Sequence, residues 1–108
     1  MRIIIANAFS TNMVEKDSYL FFGHITEQMA RDIVYLHEKD VLSIVGHQSM
    51  ADLLSVRLSI VVPVNRINYV KKKDDQIIVA TAQRRLEEGK VLSLDELKAI
   101  PIKFMLVK

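Results

Sequence analysis

The stretch Val45-Gly46-His47-Gln48-Ser49-Met50 passes from an apolar segment, through a glycine, into an amphipathic one, which is the pattern of a strand-to-helix corner. At such a corner the first helical N–H groups lack intrahelical partners and carry partial positive charge, so they suit an anionic oxygen. A histidine placed there can meet a phosphate, and an imidazole that exchanges protons near neutral pH is what a departing ribose oxygen needs. The same residue reads equally as a loop or capping histidine. A second polar stretch, Asn7-Ala8-Phe9-Ser10-Thr11-Asn12-Met13, follows a β-branched run. Its amides and hydroxyls either form a turn or offer neutral donors and acceptors to base edges and phosphates. A third, Arg84-Arg85 followed by Glu87-Glu88, is either a surface ion pair or a phosphate-binding group.

The elements that must position these residues alternate in type. Residues 2–6 and 18–25 read as strands, and Thr26 caps a helix in which Met29, Ile33 and Leu36 form the apolar stripe. His37 stands near that helix's C-terminus, where a positive charge suits the dipole. Residues 41–45 lead as a strand into the His47 corner, and Met50, Leu53, Leu54 and Leu58 then recur at helical spacing. Residues 60–64 are β-like but contain Pro63, which disfavours a central strand. Residues 67–70 are expected to pair with 76–82 as an antiparallel hairpin across the solvated turn Lys71-Lys72-Lys73-Asp74-Asp75. Residues 83–92 read as a helical turn and loop ending at Gly89. Ser93 and Glu96 have capping-box spacing, Leu94, Leu97 and Ile100 supply an apolar face, Pro101 stops that helix, and 102–107 is a final strand. The expected fold is a single α/β domain over 1–108, with a mixed five- or six-stranded sheet, a β-hairpin and about three short helices.

Composition limits the function classes. The chain has 108 residues, half of them hydrophobic, with three glycines and two prolines, so one folded globule is expected. It contains no cysteine, which removes disulfides and thiolate metal sites and fits a reducing, cytoplasmic setting. The apolar run after Met1 stops at Asn7, too short for a signal peptide or a membrane span. A net charge of +2 permits an anionic ligand without the strongly basic surface of a dedicated duplex binder. No His-rich or carboxylate-rich spacing for a metal stands out, and no cofactor is expected.

Three separated segments together resemble the viral ring nuclease family: Asn7-Ala8-Phe9-Ser10-x-Asn12-Met13, Gly46-His47-x-Ser49, and Asn65-Arg66 with Arg85-Leu86-Glu87-Glu88-Gly89-Lys90. The likeness covers nearly the whole chain in the same order, and the Arg-Leu-Glu-Glu-Gly-Lys block is its most specific part. Members are small homodimers from archaeal viruses, phages and mobile elements, and they act as anti-CRISPR proteins that degrade cyclic tetra-adenylate, the messenger of type III systems. The resemblance implies the same substrate here. It also implies His47 as general acid and Arg85 and Glu88 as the other catalytic residues. Asn7, Ser10, Asn12, Ser49 and Arg66 match positions that line or support the nucleotide pocket. Arg84 departs from the pattern: it stands where an uncharged residue is expected, and either exchanges roles with Arg85 or widens the positive field. Residues 17–40 follow the family only in general pattern.

The chemistry this implies calls on no metal, because each ribose of the ring carries its own nucleophile, the 2′-hydroxyl. The protein must align that oxygen with the phosphorus and the leaving 5′-oxygen, stabilise the phosphorane and supply a proton. Glu88 either fixes Arg85 or accepts the 2′-hydroxyl proton. A two-fold dimer matches the two-fold axis within a four-nucleotide ring, and the hairpin and final strand are candidate interfaces. Two other function classes compete: a module that sequesters the cyclic oligonucleotide without cutting it, and a DNA-binding regulator using Arg84, Arg85 and the lysine turn, whose affinity would fall steeply with salt.

Overall fold

The sheet is organised around the strand β1 (Ile3–Ala6), all four of whose residues are buried. A strand covered on both faces has no polar side to show, which is why its sequence is continuously apolar rather than alternating. The chain is described as a computed structural model for residues 1–87 and 90–108; Glu88 and Gly89 lie outside the described residues. Beside β1 run β3 (Val41–Ser43) and β4 (Gln76–Ala82), both parallel to it, with Ile3 opposite Val41 on one side and Gln76 on the other. Beyond β4, the antiparallel β5 (Ile102–Val107) and β2 (Phe22–Ile25) complete a five-stranded mixed sheet in the order β2-β5-β4-β1-β3.

Three helices cover one face: α1 (Glu27–Leu36), α2 (Gln48–Leu58) and α3 (Leu94–Ala99). Their core contains Ile3, Ile5, Ile78, Ala80 and Phe104 from the sheet with Val34, Leu53, Leu54 and Leu97 from the helices. The opposite face, made of Ile4, Ala6, Ile77, Val79 and Val107, is covered by loop residues, among them Phe9, Met13, Leu20 and Tyr69. The α2 helix carries buried residues on more than one side, because it packs against both α1 and α3 as well as the sheet. One side chain ties the three helices together. Arg57 of α2 bonds the Glu27 carboxylate at the start of α1 and donates to the Leu97 and Ile100 carbonyls at the end of α3.

Several expectations hold. Thr26 caps α1 by accepting the Met29 N–H at 3.0 Å, and Ser93 with Glu96 forms a reciprocal capping box on α3. His37 follows α1 and its Nδ1 bonds the Ile33 carbonyl at 2.9 Å, a structural role.

Three expectations are corrected. The hairpin is absent: residues 67–70 form no strand, and both edges of β4 are occupied, by β1 and by β5. The apolar residues 77–80 are an interior strand buried on both faces, and a continuous apolar run carries no sign of which neighbour will pair with it. Residues 67–70 instead lay Tyr69 across the loop-covered face, where its hydroxyl donates to Asp75 at 2.6 Å. The final strand lies inside the sheet between β4 and β2, so neither element nominated for the dimer interface offers a free strand edge. Finally, α1 buries Ala30 and Val34, while Met29 is 48% and Leu36 74% exposed. The small Ala30 side chain lets the helix approach its neighbours on that side, and helical periodicity alone does not rank a small residue above a large one.

Candidate functional site

Because β1, β3 and β4 run in the same direction, the segments that leave their carboxyl ends converge on one rim of the sheet. In open parallel sheets this is where ligands bind. Asn7 follows β1, the Gly46-His47 corner follows β3, and Arg84 and Arg85 follow β4. Asn7, His47, Arg84 and Arg85, with Ser49, Met50, Thr81 and Leu86, line a cavity of about 360 Å³.

Each side chain is placed by a local device. The carboxamide oxygen of Asn7 accepts the Gly46 N–H at 3.4 Å, and the Nε of Arg66 donates to the Gly46 carbonyl at 2.7 Å, so the corner is held from both sides. His47 is the extended residue before α2, with φ −127° and ψ 135°; its carbonyl accepts the Ala51 N–H, and its imidazole makes no capping bond. The ring is exposed at the cavity wall, and the first turn of α2 contains no acidic residue to neutralise the N–H groups beneath it. Ser49, buried in the first turn of α2 two residues further on, donates to the Glu87 carbonyl at 3.3 Å and so links α2 to the segment carrying Arg85. Arg84 and Arg85 are both exposed, and among the described residues no acidic side chain lines the cavity with them. The result is a cationic hollow with two guanidiniums, one imidazole and a helix start, framed by the Asn7 amide and the Ser49 and Thr81 hydroxyls. Such a set can hold a phosphodiester through its non-bridging oxygens and offer a proton to one of its bridging oxygens.

The sequence-derived residues therefore divide. Asn7, His47, Ser49, Arg84 and Arg85 come together on one wall. Arg66 supports the corner from behind rather than lining the cavity. Ser10 caps the short 3₁₀ turn Thr11–Met13 by accepting the Asn12 N–H at 3.2 Å, and neither Ser10 nor Asn12 lines the cavity. Glu88 lies outside the described residues. Residues 83–87 are bends and irregular chain rather than a helical turn. Thr81 also lines the cavity, and the sequence marks it by nothing more than a hydroxyl near the end of a largely apolar strand.

Residues 3–104 match the STIV B116-like family. The chain belongs to that family. Among its relatives are the ORF117 protein of Acidianus two-tailed virus, 32% identical over 85 residues that make up 78% of this chain and 73% of the relative. The ORF116 protein of Acidianus filamentous virus 1 is 30% identical over 94 residues, 86% of this chain and 79% of the relative. In three dimensions the chain resembles B116 of Sulfolobus turreted icosahedral virus, with a TM-score of 0.84 and 25% identity, covering 99% of this chain and 98% of that one. Members of the family are thus found in viruses. Among the described residues no helix is long and apolar enough to cross a membrane.

Proposed function

We propose that this protein is a ring nuclease that opens cyclic tetra-adenylate and thereby silences type III CRISPR signalling. The observation that carries this reading is the presence of His47 and Arg85 on one cationic wall at the carboxyl ends of the parallel strands. In the proposed reaction a ribose 2′-oxygen attacks the adjacent phosphorus, the bond to the 5′-oxygen breaks, and His47 gives its proton to that leaving oxygen. Arg85 bonds the non-bridging oxygens, for which its planar fork is suited, and Arg84 adds to the positive field. Glu88 either orients Arg85 or receives the 2′-hydroxyl proton. No water is consumed, so each cut leaves a 2′,3′-cyclic phosphate on one side and a 5′-hydroxyl on the other.

A cavity of about 360 Å³ accepts part of a four-nucleotide ring, not all of it. The reading therefore includes a homodimer in which two such cavities face one another across a two-fold axis, so that opposite phosphates each meet one His47. Two symmetric cuts yield two linear di-adenylates. The deciding experiment is chromatography and mass analysis of cyclic tetra-adenylate incubated with the protein at stoichiometric and at substrate-excess ratios. Linear di-adenylate with cyclic phosphate ends is the expected product. A ring that binds but returns intact overturns the enzymatic reading in favour of sequestration.

A further inference from the structure

The amino ends of the parallel strands carry a second hollow, of about 710 Å³, between residues 14–20, the turn at 70–73 and Lys108. Lys16, Lys71, Lys72, Lys73 and Lys108 line it, and Glu15 is the one acidic side chain among the lining residues. None of these lysines joins an ion pair among the described residues; Asp75, just beyond the turn, is engaged by Arg2, by the Tyr69 hydroxyl and by the Lys72 N–H. The walls are tied by backbone bonds: the Lys71 N–H donates to the Met13 carbonyl at 2.7 Å, and Phe21 and Lys108 exchange bonds at 2.6 and 3.0 Å. Folding thus gathers several ammonium groups around one hollow; the Lys71 Nζ donates to the Lys72 carbonyl at 3.3 Å and the Lys108 Nζ lies 5.7 Å from the centre of the Phe21 ring, but among the described residues no carboxylate neutralises any of them. On the same wall the Tyr19 ring is fully exposed, at 105% of its reference area, so an aromatic face stands beside the lysines with nothing stacked on it.

We propose that this hollow is a second ligand site, which takes the polyphosphate chain of a nucleotide on its lysines and the base on Tyr19. A compact anion of several negative charges matches ammonium groups clustered within one hollow, and lysines, as point charges, suit the many equivalent oxygens of a polyphosphate. One exposed ring provides for one base. The six residue steps of β4 separate this end of the sheet from the His47 cavity by about 20 Å, so the two sites are independent.

The test is titration calorimetry of the full chain with ATP, with inorganic triphosphate and with a long single-stranded RNA. ATP is expected to bind, and the double variant K72E/K73E to weaken both ATP and inorganic triphosphate roughly tenfold. Tyr19→Ala is expected to weaken ATP roughly fivefold or more while sparing inorganic triphosphate, and Arg85→Ala to leave both unchanged. All altered side chains except Arg85 lie outside the first cavity, and Tyr19, Lys72 and Lys73 are exposed, so folding is not at stake. Absence of ATP binding overturns the proposal, as does ATP affinity lost in Arg85→Ala but kept in K72E/K73E. ATP binding indifferent to Tyr19→Ala removes the nucleotide reading, and RNA binding tighter than ATP assigns the hollow to a nucleic-acid strand instead.

Discussion

The Ser49 hydroxyl, on the first turn of α2, reaches the Glu87 carbonyl at 3.3 Å, joining the helix that starts at His47 to the segment that carries Arg85. The bond closes the cavity wall between two groups that the proposed reaction needs at a fixed separation. Ser49→Ala removes the bond without adding bulk. The expected result is a cleavage rate lower by about tenfold with a thermal midpoint nearly unchanged, because one long hydrogen bond contributes only about 1 kcal/mol. A single-turnover assay beside a melting curve separates the two effects.

His47→Ala should lower the single-turnover cleavage rate by about 10²- to 10⁴-fold while binding of the ring is largely kept, the usual worth of a positioned general acid. The same assay repeated after exhaustive chelation is expected to give an unchanged wild-type rate, since the proposed nucleophile belongs to the substrate. Undiminished cleavage by His47→Ala assigns the acid elsewhere.

The contact between Asp75 and Tyr69 predicts how stability depends on pH. Burial alone would push the Asp75 carboxyl up, but bonds from Arg2, Tyr69 and the Lys72 N–H outweigh it and hold the group below its ordinary value. The unfolded chain then binds the proton more readily, so this contribution is complete above about pH 4 and is lost as the pH falls through the depressed native value. For Tyr69, burial and the bond to Asp75 both push the phenol up. Its contribution is complete below about pH 10 and is lost as the pH rises above that. Tyr69→Phe should cost about 1 kcal/mol near neutrality and remove its share of the alkaline loss. Asp75→Asn should cost about 2 kcal/mol and flatten part of the acid limb; the figure stays low because the Arg2 side chain is 38% exposed and keeps water. Denaturant melts across pH measure both.

Arg57 offers a sharper stability test, being only 15% exposed. Arg57→Ala leaves the Leu97 and Ile100 carbonyls without this donor and strips Glu27 of one of its two guanidinium partners. A loss of about 3 kcal/mol is expected, visible as a lowered denaturation midpoint. Burial pushes the Glu27 carboxyl up, but Arg57 and Arg31 together bring it below its ordinary value, so in Arg57→Ala the acid limb of the stability curve should become shallower.

At the end of α2, Ser59 sits in the left-handed region with φ 58° and ψ 35°. A side chain there is strained, and glycine is not. Ser59→Gly should raise stability by about 0.5–1 kcal/mol, less than the full strain because glycine also gains freedom in the unfolded chain. A higher melting temperature with unchanged chemistry at the His47 cavity is the expected outcome.

Much of this protein is legible in its sequence, wherever short-range physics decides. The continuous apolar runs of β1 and β4, the period of α2, the Thr26 cap and the Ser93–Glu96 capping box are each set by neighbours within a turn or a strand. The Gly46-His47 corner was legible for the same reason. Partnership was not: residues 76–82 have the same sequence whether they pair with 67–70 or, as they do, with β1 and β5, because a strand buried on both faces gives no clue to its neighbour or its direction. Nor did periodicity reveal that α1 turns Ala30 and Val34 inward and leaves Leu36 outside. Above all, Asn7, His47 and Arg85 stand far apart along the chain, and their meeting on one rim depends on three strands pointing the same way, a matter of long-range pairing that local sequence does not encode.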